Sequence, residues 1–262
     1  NIATTYRYAE GKPERLAGLA SELAAMKPDV IFALGGDVAP YARTATNVIP
    51  IVMAVSVDPV QTGLVTNLAK PGGNITGVTY ISSDLAAKRL QFLTEIAPKI
   101  SRVAILWNPD HIDPEYRETQ AAGRTLGVRI QSLEVRGLPD FEAALQAAAT
   151  EHAEAIIVIS SRLMTFARKQ VLAFASPRRL PVVSGWGPWA EEGALLSYGP
   201  DLNTIVRRSA TYVDKILKDA KPGDLPVEQP TLFELVVNGK TAKTLGLKIP
   251  QSVVIRATKV IE

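Results

Sequence analysis

The sequence predicts a doubly wound α/β fold arranged in two lobes, and three observations carry that prediction. Short apolar runs alternate with amphipathic helical stretches along most of the 262 residues. The runs are almost continuously apolar, as expected of parallel strands covered on both faces, not of strands with one wet side. The alternation also breaks twice. After "NITGVTYI" (74–81) a new βα series starts at Arg102, and after "GALLSYGPD" (193–201) comes a long helix and then the linker "DAKPGDLPVEQPT" (219–231). Two βα series joined by more than one crossing of the chain describe two lobes with a cleft between them.

Taken in order, strands are expected at "DVIFAL" (29–34), "IPIVMAVS" (49–56), "NITGVTYI", "SRVAILWN" (101–108), "VRIQSLEV" (128–135), "EAIIVIS" (154–160), "LPVVSG" (180–185), "GALLSY" (193–198) and "LFELVVN" (232–238). Helices are expected at 13–27, 82–98, 113–127, 139–153 and roughly 202–219, where apolar residues recur with the helical period. The first lobe takes residues 1–80 plus 199–222, and the second 81–198 plus 228–262. The opening "NIATTYRY" is strand-like but has no βα unit ahead of it.

Composition removes several functional classes. There is no cysteine, so disulfides, zinc–thiolate sites and cysteine nucleophiles are excluded. Two histidines, His111 and His152, leave little for a histidine metal site or a Ser-His-Asp triad. The net charge of +3 comes without any run of basic residues, which argues against a nucleic-acid partner. No apolar stretch approaches the ~20 residues needed to span a bilayer, and the first dozen residues lack the pattern of a signal peptide. "LGGDVA" (34–39) is not the dinucleotide fingerprint, and neither a phosphate-binding loop nor a G-x-S-x-G elbow occurs. No cofactor and no metal are expected, and no catalytic residue stands out.

In open α/β sheets ligands lie at the carboxyl ends of the strands. The residues that follow each strand are therefore the candidates. Gly36 and Asp37 follow the first, Asp58 the second, and Tyr80 and Ser82 the third. In the second lobe, Trp107 and Asn108 end one strand, Ser161 and Arg162 follow another, and Trp186 and Trp189 follow a third. Tyr198 falls where the chain crosses between lobes. All three tryptophans thus gather at one edge of one layer, either facing a ligand or plugging the sheet ends. Asp37, Asp58, Asp113, Asp140 and Asp201 each read as a helix N-cap. A cap facing a cleft can also accept from a ligand ammonium, while amides such as those of residues 36–38 suit a carboxylate. Arg162 can clamp a carboxylate or lie on a solvated surface. The pattern matches a zwitterion or small carboxylate held between aromatic rings.

The stretches "DPVQTGLV" (58–65), "KPGGNITG" (70–77) and "LPVEQPTLFELVVNGKTAKTLGL" (225–247), in this order within a match spanning essentially the whole chain, resemble the solute-binding proteins of ABC transporters for tryptophan- and tyrosine-type substrates. The resemblance implies a type I periplasmic-binding-protein architecture of two Rossmann-like lobes with three crossovers, closing on a small solute. It implies a periplasmic or membrane-anchored extracytoplasmic location and, as partners, a permease and its ATPase. It also implies that the loops at Gly36-Asp37, Asp58, Tyr80-Ser82, Trp107-Asn108, Ser161-Arg162, Trp186 and Tyr198 line the cleft.

The chain departs from the family pattern in three places. It reads Trp186-Gly187-Pro188-Trp189 where relatives carry an aromatic, Arg-Glu and a second aromatic, and Ser161-Arg162 where they tend to carry Asp-Pro. Both changes imply altered specificity. The family also has a signal sequence, a first strand and a first helix ahead of the position of Asn1, so the resemblance implies a longer native chain, or a strand supplied by another chain. Two rival functions stay open at this point. One is a ligand sensor on the same fold. The other is a nucleotide-sugar enzyme, which would need a diphosphate cradle or a catalytic base that the sequence does not offer.

Overall fold

The computed structural model describes residues 2–10, 12–80, 84–111 and 114–262. The chain divides into two compact units, Asn1–Ile81 with Asn203–Pro230 and Ser82–Leu202 with Thr231–Glu262. In the first unit a 3-10 turn at Pro13–Arg15 leads into α1 (Leu16–Ala25), followed by β1 (Ile31–Leu34), α2 (Ala39–Ala45), β2 (Ile51–Val55) and β3 (Ile75–Thr79). The three strands form a parallel sheet in the order β1-β2-β3. Every residue of β2 and β3 is buried; β2 is apolar throughout, while β3 also buries Thr76 and Thr79. Gly77 is required where these two strands approach, since a β-carbon there would stand 2.1 Å from the Met53 carbonyl oxygen, at a φ of +139°.

One edge of this sheet is covered by residues 225–228. Glu228 donates its amide to the Gly77 carbonyl (3.0 Å) and accepts the Thr79 amide (2.8 Å), while the Thr76 hydroxyl donates to the Leu225 carbonyl (2.6 Å). At the other edge, β1 buries Ile31 and Ala33 but leaves Phe32 and Leu34 43% and 47% exposed. The strand expected at "NIATTYRY" does not form: residues 2–9 belong to no helix or strand. Threonines and tyrosines favour a strand only where a neighbouring strand completes the ladder.

In the second unit the elements run α3 (Asp84–Ile96), β4 (Arg102–Trp107), α4 (Glu115–Leu126), β5 (Arg129–Glu134), α5 (Asp140–Thr150), β6 (Ala155–Val158), α6 (Arg162–Ala175), β7 (Val182–Ser184), α7 (Gly187–Glu191) and β8 (Leu196–Pro200). The chain returns to the first unit for α8 (Leu202–Leu217), whose buried Ile205, Ser209, Tyr212 and Ile216 follow the helical period. It then closes the second unit with β9 (Phe233–Asn238), α9 (Gly239–Leu245), α10 (Gln251–Arg256) and β10 (Lys259–Ile261).

The seven strands of the second unit lie in the order β10-β9-β8-β7-β6-β4-β5. Their side chains alternate between two cores. Val103, Ile105 and Ile157 pack under α3 and α4, with Leu90, Leu93 and Ala122. Ala104, Leu106 and Ile156 pack under α5 and α6, with Phe141, Leu145, Met164 and Val171. Burial on both faces is what the apolar runs predict. The sheet is nevertheless not wholly parallel: β9 runs antiparallel to β8, with Gly199 opposite Glu234 and Pro200 opposite Phe233.

Candidate functional site

Within the first unit, the carboxyl ends of β1, β2 and β3 bring together Gly36, Asp37, Asp58 and Tyr80. Gly36 is buried and Asp37 exposed. The N-cap of α2 falls at Val38, not Asp37. Asp58 does cap, though not a helix. Its Oδ1 accepts the amides of Val60 (2.8 Å) and Gln61 (3.1 Å), and the chain continues as turns over 59–63. Tyr80 is buried and anchored by its amide to the Val55 carbonyl at 2.8 Å. Ser82 and Asp113 lie outside the described residues.

Within the second unit, β4, β6, β7 and β8 end side by side. Asn108 closes a turn after β4 by accepting the Asp110 amide at 2.9 Å. Ser161 caps α6, its hydroxyl accepting the Met164 amide at 3.3 Å, and so sets Arg162 at the start of that helix. Trp186 is half-buried at the N-cap of α7, directly beyond β7. Asp140 turns out to be the first residue of α5. Its carboxylate reaches back to the amides of Arg136 (2.7 Å) and Gly137 (3.0 Å), closing the preceding loop.

The other aromatic candidates separate. Trp189 is only 1% exposed and belongs to the core beneath α5 and α6. The one-turn helix α7, with Pro188 as its second residue, rolls the second tryptophan of the pair inward. The indole of Trp107 lies flat on Tyr116 of α4, with ring centroids 4.1 Å apart, and its Nε1 donates to the Ser132 hydroxyl at 2.8 Å. Strand alternation explains this: Trp107 continues the Val103–Ile105 face and turns under α4. Tyr198 packs its ring edge-on against Phe92, at 5.2 Å.

Sequence reasoning missed what holds these strand ends together. Arg89 of α3 and Glu115 of α4, each 1% exposed, form an ion pair at 2.7 Å. Arg89 Nε donates to the Tyr198 carbonyl at 2.7 Å. The guanidinium also fills the space over Gly185, where a β-carbon would stand 2.4 Å from Ser160 Oγ and 2.6 Å from Arg89 Nη2. The Ser160 hydroxyl is buried and finds no hydrogen-bond partner among the described residues. One signal was available: Arg89 sits among Leu85, Ala86, Leu90 and Leu93, on the stripe of α3 that must be buried. Glu234, across the ladder from Gly199, was also missed. Burial pushes its carboxyl above the usual range, with the negative charges of Asp201 and Glu191 adding to the effect.

Among the described residues, no group of three or more histidine, aspartate and glutamate side chains is placed to hold a metal ion. No helix among them is long and apolar enough to cross a membrane. Two α/β units with half-buried aromatic, hydroxyl and charged groups at their strand ends define a small-molecule-binding protein of the periplasmic-binding class. The chain belongs to the ABC transporter substrate binding protein family, whose model matches residues 1–261. A "Tyrosine-binding protein" of Clostridioides difficile is 25% identical over 251 residues, 95% of this chain and 72% of that one. Among solved structures, a conserved domain protein of Vibrio cholerae is 28% identical with a TM-score of 0.93, covering 99% of this chain and 88% of its own. An ABC domain from Streptococcus pneumonia, solved in complex with L-Trp, is 25% identical with a TM-score of 0.90, covering 99% and 90%. The family is one of substrate-binding proteins, not of enzymes.

Proposed function

We propose that the chain is the extracytoplasmic binding component of an ABC importer, capturing an amino acid or aromatic carboxylate and delivering it to a permease driven by an ATPase. The family match over residues 1–261 carries this reading. The ligand class is supported by the tyrosine-binding relative and the L-Trp complex, both at 25% identity. In this reading Trp186 stacks on the aromatic ring of the solute. The solute carboxylate is received by Arg162 and the start of α6, where the helix dipole favours negative charge. Asp37 and Asp58 are the carboxylates assigned to a solute ammonium. Gly36, Tyr80, Ser82, Asn108, Ser161 and Tyr198 complete the proposed lining, and capture follows from closure of the two lobes.

Isothermal titration of L-tryptophan, L-tyrosine, L-phenylalanine and benzoate, with D-glucose as control, tests the reading. Saturable binding of at least one aromatic solute is expected, with glucose silent. At about 100 times its Kd that solute adds about 2.7 kcal/mol of stability. A folded protein that binds none of the four at millimolar concentration removes the ligand assignment.

A further inference from the structure

The Arg89 guanidinium reaches three separate segments of the chain. Nε holds the Tyr198 carbonyl in β8, Nη1 meets Glu115 at the start of α4, and Nη2 lies over Gly185 beyond β7, beside Ser160 beyond β6. All of these groups lie in the second unit. We infer that Arg89 is a positioning residue for the solute site, setting the loops at 160–162, 185–187 and 198–201 in register. The inference rests on the function proposed above.

Stability alone does not account for the pair. Withdrawing two charges from water is costly, and well-packed apolar side chains of similar volume commonly match or exceed a buried ion pair. An apolar side chain could fill the same space, but it cannot aim. The guanidinium is planar and rigid and presents donors in fixed directions, so it fixes the angle as well as the distance between the segments it joins. Gly185 bears the imprint of that arrangement, because any side chain there collides with Arg89 and Ser160. Trp186 follows Gly185 directly, and Ser161 and Arg162 follow Ser160. A displacement of the guanidinium therefore passes straight into the residues proposed to hold solute.

The test separates folding from positioning. The double substitution Arg89→Met with Glu115→Met removes both charges together, and its melting temperature is expected to stay within a few degrees of wild type. Amide hydrogen exchange at 160–162, 185–187 and 198–201 should nevertheless accelerate by about tenfold or more, with β4 and β6 unchanged. Affinity for L-tryptophan or L-tyrosine should fall by about tenfold. Should the double variant fail to fold, Arg89→Lys keeps the charge and loses the Nε bond to Tyr198, and the same two changes are expected of it. Loops that exchange as slowly as in wild type overturn the inference, as does a stable variant that binds as tightly. If the wild-type protein binds neither amino acid, the proposed function falls, while the exchange comparison still decides whether Arg89 positions the loops.

Discussion

Arg208 on α8 and Glu228 beside β3 meet in a two-point ion pair, Nε to Oε2 at 2.5 Å and Nη2 to Oε1 at 2.6 Å. The pair ties α8 to the segment that covers the edge of the first unit's sheet, where the Tyr212 hydroxyl also donates to the Pro226 carbonyl at 2.5 Å. Arg208 holds the Glu228 carboxyl below the usual glutamate range. A carboxyl lowered on folding stabilises above its unfolded pKa of about 4.3 and loses that contribution as pH falls through the lower folded value.

Glu228→Gln is therefore expected to cost about 1 kcal/mol at pH 7, a modest figure because both partners are partly exposed. Thermal unfolding of wild type and variant should converge as pH drops below about 4, where the wild-type carboxyl also takes up its proton. A gap that persists undiminished at pH 2.5 would mean that the carboxylate charge is not what the variant lost.

Gly185 and Gly187 flank Trp186 and make opposite predictions. A methyl group at Gly185 meets Ser160 and Arg89, whereas one at Gly187 meets nothing within 4 Å. Gly185→Ala should cost about 1–3 kcal/mol, the range for overfilling a packed interior. Gly187→Ala should change stability by no more than about 0.5 kcal/mol. Urea unfolding of both variants measures this, and a Gly185→Ala protein as stable as wild type would show that the guanidinium can move aside at little cost.

Trp186 and Trp189 are three residues apart in sequence and differ in burial, so substitutions should divide them. Trp189→Ala empties a core position and should cost about 3–5 kcal/mol. Trp186→Ala should leave stability within about 1 kcal/mol of wild type. It should, however, weaken an aromatic solute by about tenfold or more, the effect of losing a buried aromatic anchor. Denaturant unfolding and calorimetric titration of the two variants give both numbers. Equal loss of affinity in both, at equal stability, would put Trp189 at the solute after all.

That pair also shows how far the sequence could be read. Strand runs such as "RVAILW" and "AIIV" are legible because burial on both faces demands unbroken apolar residues. Their spacing identifies which residues follow each strand. It does not say which way a bulky residue at a strand end or in a single helical turn will roll, and Trp107 and Trp189 both roll inward. The direction of β9 is hidden for another reason. It follows a long excursion through α8, and nothing in "FELVVN" records whether the chain returns parallel or antiparallel. Three-residue β10 is too short to carry a period at all. Arg89 was overlooked because a charge beside Lys88 in an amphipathic helix reads as surface until the rest of its stripe is seen to be buried.

Glu234 carries the opposite sign from Glu228. Its carboxyl is raised, first by burial and then by Asp201 and Glu191, with Lys259 opposing. A carboxyl whose pKa rises on folding binds its proton more tightly in the folded state, so stability increases as pH falls through the folded value towards the unfolded pKa of about 4.3. At neutral pH the ionised group is a net burden. Glu234→Gln should therefore raise the melting temperature at pH 7, and the advantage should shrink towards zero near pH 4. Thermal unfolding of wild type and variant between pH 4 and pH 8 measures the difference. A variant less stable than wild type at pH 7 would mean that the attraction of the Lys259 charge outweighs burial and the two neighbouring carboxylates.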